Sequence, residues 1–570
     1  METWLRKSSA QPGRLQPAIT DNSRNRNPAV FAMGRPKPRR RRRGETQARS
    51  TANPRSGDEL RRQAEQHLAQ GRVIPALEAL NSVIEIGEAG IADWLMAGNT
   101  LLSVREFSQA IVAFEQGLTL DAEHEECRFN LAAALFQMGD ITAAANHFEF
   151  VAERYHNLKA RLSLATIIPG CPVSSHERVL AVRRQFAASL ALGPGSDPWH
   201  ASQRTACPRL RVGYLSAFFH RSNYMKPVWG LINGHDRGRF EICLFADDTT
   251  ESGLEWFHRG PHDRVHLTRA LDNVQLISLI REQQLDIVVD LNGYSVPSRL
   301  PILVSRLAPV GVAWFNMYAT SALPGIDWIV GDEFVIRRDE DQHYSESVFR
   351  LPQSYLSFVV GHEAPDVAAL PCLNGSPFTF GSLVSQYKIS PAVLDAWSEI
   401  LKRAPESQLL LANRAFGTTC NRDYVVEQFL RRDVGSERLR LLPPAPHFQF
   451  LKYYDQIDIA LDAFPYNGGT TTTEAIWQGV PVLTFDGDRW AARTSRTLLM
   501  NCHLGEFVAA GAKEYIEAAV RWATEPDAQQ RLAELRQTMR PCLISSPVCQ
   551  ISSMVQAMEE CFLNFADNGK

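Results

Sequence analysis

The sequence predicts an α/β fold with two Rossmann-like domains in succession, preceded by an α-helical repeat array. In the last two thirds of the chain, short apolar runs rich in β-forming residues alternate with helical stretches, which is typical of parallel sheets covered on both faces. Before them, small and apolar residues recur every 34 residues, which is typical of stacked helix pairs. We predict a disordered basic tail over 1–56, repeats over 57–157, a helical linker over 158–206, and Rossmann-like domains over 207–370 and 371–570.

The tail is the most strongly charged segment. Residues 1–56 hold fourteen Lys and Arg against three Asp and Glu, and residues 39–43 are all arginine. Such a composition buries too little apolar surface to order itself, so it is typical of a solvated tail, or of a nuclear-import or nucleic-acid-binding segment. The rest of the chain is acidic, and we therefore predict no nucleic-acid partner for the folded body.

The cysteines and the apolar segments predict the compartment. The ten cysteines are scattered and form no CxxC pair, which favours a reducing compartment over a disulfide framework or a zinc site. No stretch approaches ~18 uncharged apolar residues, and the first thirty residues contain no apolar segment of the secretory type. We predict a cytoplasmic protein with no membrane segment, or a nuclear one if the tail acts as an import signal.

The 34-residue period is visible at five positions of each unit. The first set is Trp94, Gly98, Leu101, Ala110 and Phe114, and the second is Arg128, Ala132, Leu135, Ala144 and Phe148. Small residues fall where two helices cross and large apolar residues fall beside them. The pattern resembles the tetratricopeptide repeat and predicts about three units, which we expect to bind protein or peptide acceptors. A plain helical bundle is the alternative interpretation.

The two α/β blocks follow the linker. We predict strands within 209–218, 240–248, 285–294 and 327–335 for the first block, and within 378–384, 407–414, 438–444, 457–464 and 480–485 for the second. We predict helices at 273–284, 390–405, 422–432, 447–456 and from Thr470 onwards. Ser390 suits a helix N-cap and Pro391 suits the first helical position. Because ligands of open parallel sheets lie beyond the carboxyl ends of the strands, the cleft between the blocks is the expected site.

Two local features predict an anion site in the second block. Gly468 and Gly469 follow a strand, and a helix begins at Thr470 and Thr471, so free N–H groups, hydroxyls and the helix dipole suit a diphosphate. Lys388 follows another strand of the same block, and its ammonium group suits a departing diphosphate. The alternative interpretations are a threonine-capped helix start and a surface lysine that bind nothing.

At these residues the sequence resembles the SPINDLY / O-linked N-acetylglucosamine transferase family, over roughly residues 58–570. The segments that carry the resemblance are NGGTTTTEAIWQGVP, GSLVSQYKIS, LPPAPHFQFLKYYDQIDIALD, LDIVVDLNGY and the Tyr344–Glu346 segment with Leu351 and Pro352. The resemblance implies tetratricopeptide repeats followed by an inverting glycosyltransferase of the GT-B type, built from two Rossmann-like domains.

The resemblance also implies roles for individual residues. Lys388 occupies the position of the essential lysine at the donor diphosphate, Thr470 and Thr471 fall on threonines at the same diphosphate, and Glu474 falls on an acidic ribose contact. On the nucleotide-sugar side it further implies Ala445, whose backbone position holds the base, with His447 nearby, and Arg493. On the acceptor side it implies Asn292, Tyr294 and Thr320.

The histidines of the family are not where the resemblance would place them. The Asp-Phe-x-x-His string of the family aligns with residues 218–222, where Ser222 stands at the histidine position and His220 lies two residues earlier. Other family histidines align with Asp286, Phe450 and Gly469. The proton acceptor is therefore open between His220, Asp286 and a phosphate oxygen of the donor.

The resulting hypothesis is a protein O-glycosyltransferase that moves a sugar, first of all N-acetylglucosamine, from a nucleotide diphosphate to Ser or Thr with inversion. The resemblance leaves UDP-N-acetylglucosamine and GDP-fucose as donors. The scheme requires no cofactor and no metal, since a lysine and a helix start replace the metal. The alternatives are a repeat scaffold with a decayed transferase domain, and a nucleotide-sugar epimerase of the same double-Rossmann fold.

Overall fold

The computed structural model describes residues 56–190 and 208–568. The predicted basic tail, apart from Ser56, and the second part of the predicted linker lie outside the described residues. Within the described ranges, no helix is both long and apolar enough to cross a bilayer. The described chain divides into two compact units, of which the first runs to Met138 and also includes Thr418–Tyr424.

The first unit is the helical repeat array. Its helices are α1 (Gly57–Ala69), α2 (Val73–Glu85), α3 (Ile91–Ser103), α4 (Phe107–Leu120) and α5 (Glu125–Met138). First helices of successive pairs begin 34 residues apart, at Gly57, Ile91 and Glu125, which confirms the predicted period. The packing shows why small residues recur: a Cβ atom at Gly98 would lie 2.3 Å from the ring of Phe114. The backbone of these helices therefore approaches the neighbouring helix closely, as stacked helix pairs require.

The second unit begins with three helices. They are α6 (Ile141–Arg154), α7 (Leu158–Ile167) and α8 (His176–Ala188). Asn157 and Ser175 cap α7 and α8 by accepting hydrogen bonds from the backbone N–H groups of Ala160 and Arg178. The helix α6 belongs by its spacing to the third repeat, yet it is part of the second unit.

A seven-stranded parallel sheet forms the first α/β layer. Its strands are β1 (Leu210–Ser216), β2 (Phe240–Ala246), β3 (Arg264–Leu267), β4 (Ile287–Asp290), β5 (Val310–Ala313), β6 (Trp328–Asp332) and β7 (Ser347–Leu351), with the helices α9 (Ser222–Gly234) and α10 (Asn273–Glu282). The strand order is β3-β2-β1-β4-β5-β6-β7. Strands β2, β4 and β5 are buried along their whole length, as expected for a sheet covered on both faces.

A six-stranded parallel sheet forms the second α/β layer. Its strands are β8 (Thr379–Ser382), β9 (Gln408–Ala412), β10 (Leu439–Leu442), β11 (Ile459–Leu461), β12 (Val482–Phe485) and β13 (Val508–Ala509), in the order β10-β9-β8-β11-β12-β13. Its helices are α11 (Pro391–Arg403), α12 (Thr419–Leu430), α13 (His447–Leu451), α14 (Thr470–Trp477), α15 (Thr494–Asn501), α16 (Ala512–Thr524) and α17 (Pro526–Ser545). Ser390 caps α11 as predicted. The helix predicted over 447–456 is interrupted, because a 3₁₀ turn over Lys452–Gln456 follows α13.

The last helix, α18 (Ser552–Asn568), returns to the first sheet. It packs against α9 and β7, and the ring of Phe565 stacks on Trp328 with a centroid distance of 4.2 Å. The carboxylate of Glu559 lies 3.3 Å from Nδ1 of His235, whose Nε2 lies 2.7 Å from the hydroxyl of Tyr214 in β1. The first sheet is therefore completed by a helix that follows the second sheet in sequence.

Candidate active site

The predicted lysine and the predicted helix start lie together at the carboxyl edge of the second sheet. Strands β8 and β11 are parallel neighbours, so the segments that follow them leave the sheet at the same edge. Lys388 lies in the turn after β8, and its Nζ donates a hydrogen bond to the carbonyl of Asn467 at 2.6 Å. Asn467 precedes Gly468 and Gly469, and Gly469 is the N-cap of α14. The sequence thus correctly predicted which two elements meet here.

Lys388 has an environment that weakens its hold on a proton. Burial lowers the pKa of Lys388 to about 8, and the nearby carboxylate of Asp462 opposes that shift only in part. The ammonium lies 4.2 Å from the ring centroid of Tyr466, a cation–π distance. An arriving anion would therefore favour the charged form of this buried lysine.

Asp462 holds the loop that leads into α14. One oxygen of its buried carboxylate accepts hydrogen bonds from the backbone N–H groups of Ala463 and Gly468, at 3.0 and 2.9 Å. The other oxygen accepts a bond from the hydroxyl of Thr484 at 2.9 Å. Burial raises the pKa of Asp462 to about 6. This carboxylate is occupied by the loop and orients it.

The first turn of α14 is open towards its N-terminus. No side chain caps the helix, and the side chains of Thr470 and Thr471 are half-buried. The first N–H groups of a helix have no partner within it, so here they remain available with the positive end of the helix dipole. Further along, Thr472 is fixed by a contact of 2.8 Å between its hydroxyl and that of Ser495. The first two threonines are therefore the ones that suit an incoming oxyanion.

Glu474, one turn into α14, lies in a buried cluster of charges. Its Oε1 accepts hydrogen bonds from Nζ of Lys226 at 3.0 Å and from Nε2 of His447 at 2.8 Å. Lys226 is in α9 of the first sheet, and its side chain is completely buried. Burial alone would raise the pKa of Glu474, but the hydrogen bond from His447 and the charge of Lys226 hold this pKa below its usual range. This ion pair between the two α/β layers was missed by sequence reasoning, although a single lysine in the apolar segment Tyr224–Ile232 was a signal for it.

Ala445 lies in the loop between β10 and α13, at the same edge of the second sheet. The prolines of this loop are exposed and Ala445 is half-buried, and the loop leads directly into His447. The predicted base-contacting segment and the predicted ribose contact are therefore joined through the His447–Glu474 hydrogen bond.

Arg493 is placed differently from the other predicted donor contacts. Its guanidinium is buried and forms a two-pronged ion pair with Glu340, at 2.8 and 2.7 Å, and also donates to the carbonyl of Gly487 at 2.7 Å. Glu340 belongs to the segment between β6 and β7. Arg493 thus joins the two α/β layers, and it contacts protein groups where the sequence predicted a ligand contact.

The predicted acceptor-side residues lie at the carboxyl edge of the first sheet. Asn292 accepts a hydrogen bond from the backbone N–H of Ala217 at 2.8 Å, which ties the segment after β4 to the segment after β1. Tyr294 donates to the carbonyl of Ser321 at 2.7 Å, and Thr320 donates to Glu346 at 2.7 Å. Tyr294 and Thr320 are buried, so their hydrogen bonds fix the loop after β5 from the interior of the protein.

That loop has an unusual backbone. Three residues other than glycine adopt positive φ within it: Phe315 at 76°, Tyr318 at 58° and Ala322 at 55°. The buried guanidinium of Arg183 in α8 donates to the carbonyl of Thr320 at 2.6 Å and holds the loop in place. Left-handed backbone of this kind persists where the surroundings fix it, and it concentrates at functional sites.

The strained loop brings an aromatic ring to the other layer. Tyr318 contacts Tyr466, with ring centroids 5.1 Å apart, and Tyr466 in turn lies 5.9 Å from Tyr387, next to Lys388. All three side chains are partly exposed. Phenol rings from both layers therefore surround the lysine, a feature that sequence reasoning did not find because it depends on the contact between the layers.

The candidate proton acceptors differ in position. His220 follows β1 at the carboxyl edge, and its Nδ1 lies 3.2 Å from a carboxylate oxygen of Asp248. Asp286 precedes β4, at the amino edge, where it accepts a hydrogen bond from the backbone N–H of Arg211 at 2.8 Å. His220 and Asp286 therefore lie at opposite edges of the first sheet. Asp286 was predicted as a candidate proton acceptor. Its position at the amino edge contradicts this prediction, because the cleft lies beyond the carboxyl ends of the strands.

Comparison with known proteins identifies the family. The sequence model of glycosyl transferase family 41 matches residues 196–366 and 373–558. A protein of Hordeum vulgare named probable UDP-N-acetylglucosamine–peptide N-acetylglucosaminyltransferase SPINDLY is 34% identical over 371 residues, which cover 62% of this chain and 38% of that protein. A protein of Arabidopsis thaliana named probable UDP-N-acetylglucosamine–peptide N-acetylglucosaminyltransferase SEC is 30% identical over 353 residues, covering 59% of this chain and 35% of that one. The matched region is thus less than half the length of these relatives.

The solved structures include a similar chain of nearly the same extent. A mutant of the O-GlcNAc transferase of Thermobaculum terrenum matches with a TM-score of 0.73 and 25% identity, covering 91% of this chain and all of that one. The predicted fold class, two Rossmann-like layers of the GT-B type after a helical array, is confirmed by this match and by the two parallel sheets.

Proposed function

The chain belongs to glycosyl transferase family 41, and we propose that it transfers a sugar from a nucleotide diphosphate to Ser or Thr hydroxyls of proteins, with inversion. UDP-N-acetylglucosamine is the first candidate donor, because the relatives at 30–34% identity carry that donor in their names. GDP-fucose is the second candidate, as the sequence resemblance implies.

One contact supports this proposal most: the hydrogen bond of 2.6 Å from Nζ of Lys388 to the carbonyl of Asn467, at the start of α14. It supports the proposal that the ammonium and the open helix start act on one ligand. Both favour the charge that develops on a departing diphosphate, and a single well-placed donor of this kind lowers a barrier by about 3 kcal/mol. Thr470 and Thr471 would add hydroxyl donors to the same oxyanion.

The neighbouring groups suit the rest of a nucleotide-sugar. A ribose diol can donate to the free oxygen of Glu474, and the backbone of the loop at Ala445 can hold the base. The rings of Tyr318, Tyr387 and Tyr466 offer apolar faces for a sugar ring beside the diphosphate. Gly468 and Gly469 keep the backbone close to the phosphates. Arg493 contributes by holding the two layers together through Glu340.

The reaction is a single displacement at the anomeric carbon. The hydroxyl oxygen of the acceptor forms a bond to that carbon while the bond from the carbon to the diphosphate oxygen breaks, and the diphosphate takes the electron pair. The hydroxyl proton passes to a base. We favour His220, because the carboxylate of Asp248 holds Nδ1 and leaves Nε2 as a proton acceptor. A phosphate oxygen of the donor is the alternative.

Protein or peptide acceptors are the proposed partners, with the helical repeats as the surface that selects them. We propose a cytoplasmic location, since the described cysteines are all free thiols. A nuclear location would require the basic tail to act as an import signal.

The test is a transfer assay with labelled UDP-N-acetylglucosamine and GDP-fucose, with proteins of the source cell as acceptors. The mass added to a modified peptide then identifies the sugar. Lys388→Met should abolish turnover, and Lys402→Met, which changes a lysine on the exposed face of α11, should leave it unchanged. Full turnover by Lys388→Met would refute the proposed site. If the wild-type protein binds no donor at all, the interpretation as a decayed scaffold is correct.

A further inference from the structure

A second cluster of side chains lies beside the proposed nucleotide site. It consists of His362, His447 and Glu474, and one nitrogen or oxygen atom from each lies within 4.8 Å of the other two. His362 belongs to the segment that joins the two sheets, between β7 and β8. The proposed transfer reaction uses Glu474 and His447 but has no role for His362.

The hydrogen bond of His362 fixes its tautomer. Its Nδ1 lies 3.0 Å from the carbonyl oxygen of Glu363, and because a carbonyl can only accept, Nδ1 must carry the proton. Nε2 therefore has a free lone pair. That atom is buried and has no hydrogen-bond partner among the described residues. An imidazole whose second nitrogen donates to a carbonyl is the arrangement found in metal-binding histidines.

The other two side chains are already close. Nε2 of His447 lies 2.8 Å from Oε1 of Glu474, and the rings of His362 and His447 are perpendicular with centroids 4.5 Å apart. Ligands of a tetrahedral zinc ion lie roughly 3.3 Å apart, given Zn–N bonds of ~2.0–2.1 Å. A small rotation of these rings would reach that spacing.

We propose that His362, His447 and Glu474 form a binding site for a divalent transition-metal ion of the zinc class. Two imidazoles and one carboxylate are ligands that favour zinc, nickel or copper over magnesium and calcium, which prefer oxygen atoms. The fourth coordination position is left to water.

Lys226 limits how tightly the ion binds. Its ammonium is 3.0 Å from the same carboxylate, so it repels an incoming cation at close range. The site is therefore suited to reversible binding.

The consequence for the enzyme rests on the proposed function. A metal ion on Glu474 and His447 occupies the groups that we assign to the ribose and its neighbours, so the ion and the donor compete. Zinc then acts as a reversible inhibitor, and a nucleotide at high concentration displaces it.

The first experiment measures metal binding by the full chain without nucleotide. Zn²⁺ is titrated calorimetrically, and Co²⁺ is used as a spectroscopic probe of four-coordinate geometry. We expect His362→Phe to bind one ion fewer than the wild type. This variant keeps an aromatic ring against His447 but removes the ligand. His343→Phe is the matched control, since it changes one ring of the separate His176–His343 stack. Equal metal binding by wild type and His362→Phe would overturn the proposal; His362→Gln repeats the test if His362→Phe does not fold.

The second experiment measures binding of UDP-N-acetylglucosamine with and without Zn²⁺. We expect Zn²⁺ to raise the apparent Kd at least tenfold for the wild type and not for His362→Phe. If the ion binds and the Kd is unchanged, the metal site stands and the competition is refuted. If no donor binds even without metal, the proposed function fails, and the first experiment still decides the metal site.

Discussion

At Lys388, burial of the side chain alters the charge on which the proposed role of this residue depends. Its charge is useful only if it survives at working pH, and the surrounding protein brings its pKa down to about 8. A lowered pKa means that the ammonium form predominates below about 8 and is lost as the pH rises through that value. A bound diphosphate would favour the charged form again, so the free enzyme is more sensitive to pH than the complex.

We therefore expect kcat/KM for the donor to fall about tenfold per pH unit above the pKa of Lys388, near 8, while kcat at saturating donor changes less. A pH profile of initial rates with labelled donor measures both. Lys388→Arg keeps its charge throughout this range, so any activity that it retains should not show the falling limb. A flat kcat/KM profile for the wild type up to about two units above that pKa would contradict the expectation.

Lys226 and Glu474 form an ion pair that is buried between the two layers. Lys226→Met leaves the buried carboxylate of Glu474 with only the hydrogen bond from His447, so it should lower the free energy of unfolding by about 3 kcal/mol. The double variant Lys226→Met/Glu474→Gln should cost less than the two single changes added together. Denaturant unfolding of the full chain measures all three, with the exposed Lys513→Met as a control. Additive effects would show that the pair is not coupled.

His220 tests the identity of the base. If it accepts the hydroxyl proton, His220→Asn should lower kcat by about 10²–10⁴-fold with little change in the Kd of the donor. If a phosphate oxygen accepts the proton, kcat should change only a few-fold. Single-turnover transfer to a peptide acceptor separates these outcomes. His258→Asn, at a histidine outside the proposed site, serves as the comparison.

The open start of α14 is the element on which the donor site depends. A Cβ atom at Gly468 would lie 2.5 Å from the hydroxyl of Thr472 and 2.7 Å from that of Thr471, whereas one at Gly469 would meet its nearest neighbour, Thr494, at 3.6 Å. Gly468→Ala should therefore displace these hydroxyls and lower the free energy of unfolding by about 1–3 kcal/mol. Gly469→Ala should cost less. Chemical denaturation compares the two, and equal losses would contradict this account of the turn.

The elements also show what the sequence could predict. The central strands β2 and β4 were visible because burial on both faces produces continuous apolar runs. The central strand β5 is also buried along its whole length, but it was not predicted. Strands β3, β7 and β13 lie at sheet edges, where half-exposed residues break the run, and they were not predicted. The edge strand β10 was predicted although its residues are half-buried. The meeting of Lys388 with the α14 start was predictable, because both follow strands of one parallel sheet. Lys226 and His362 were not, since their partners come from another layer.

On the scale of the whole second unit, α18 connects the end of the chain to the first sheet. Its residues Met558, Phe562 and Phe565 are almost completely buried, and Phe565 covers Trp328. Truncation after residue 551 should expose the apolar surface that these residues cover and prevent cooperative unfolding of the α/β layers. Calorimetry should then show a broadened or missing transition, and limited proteolysis should cut the first layer. Removal of residues 567–570 alone is the control; a truncated chain with the wild-type transition would contradict the expectation.

The return of α18 to the first sheet has a consequence for biosynthesis. A ribosome makes every strand of both layers before it makes this helix, so β7 and the rings near it stay uncovered until translation has passed residue 565. The earlier layer thus cannot finish folding as it emerges, and the nascent polypeptide must remain soluble with that apolar surface exposed.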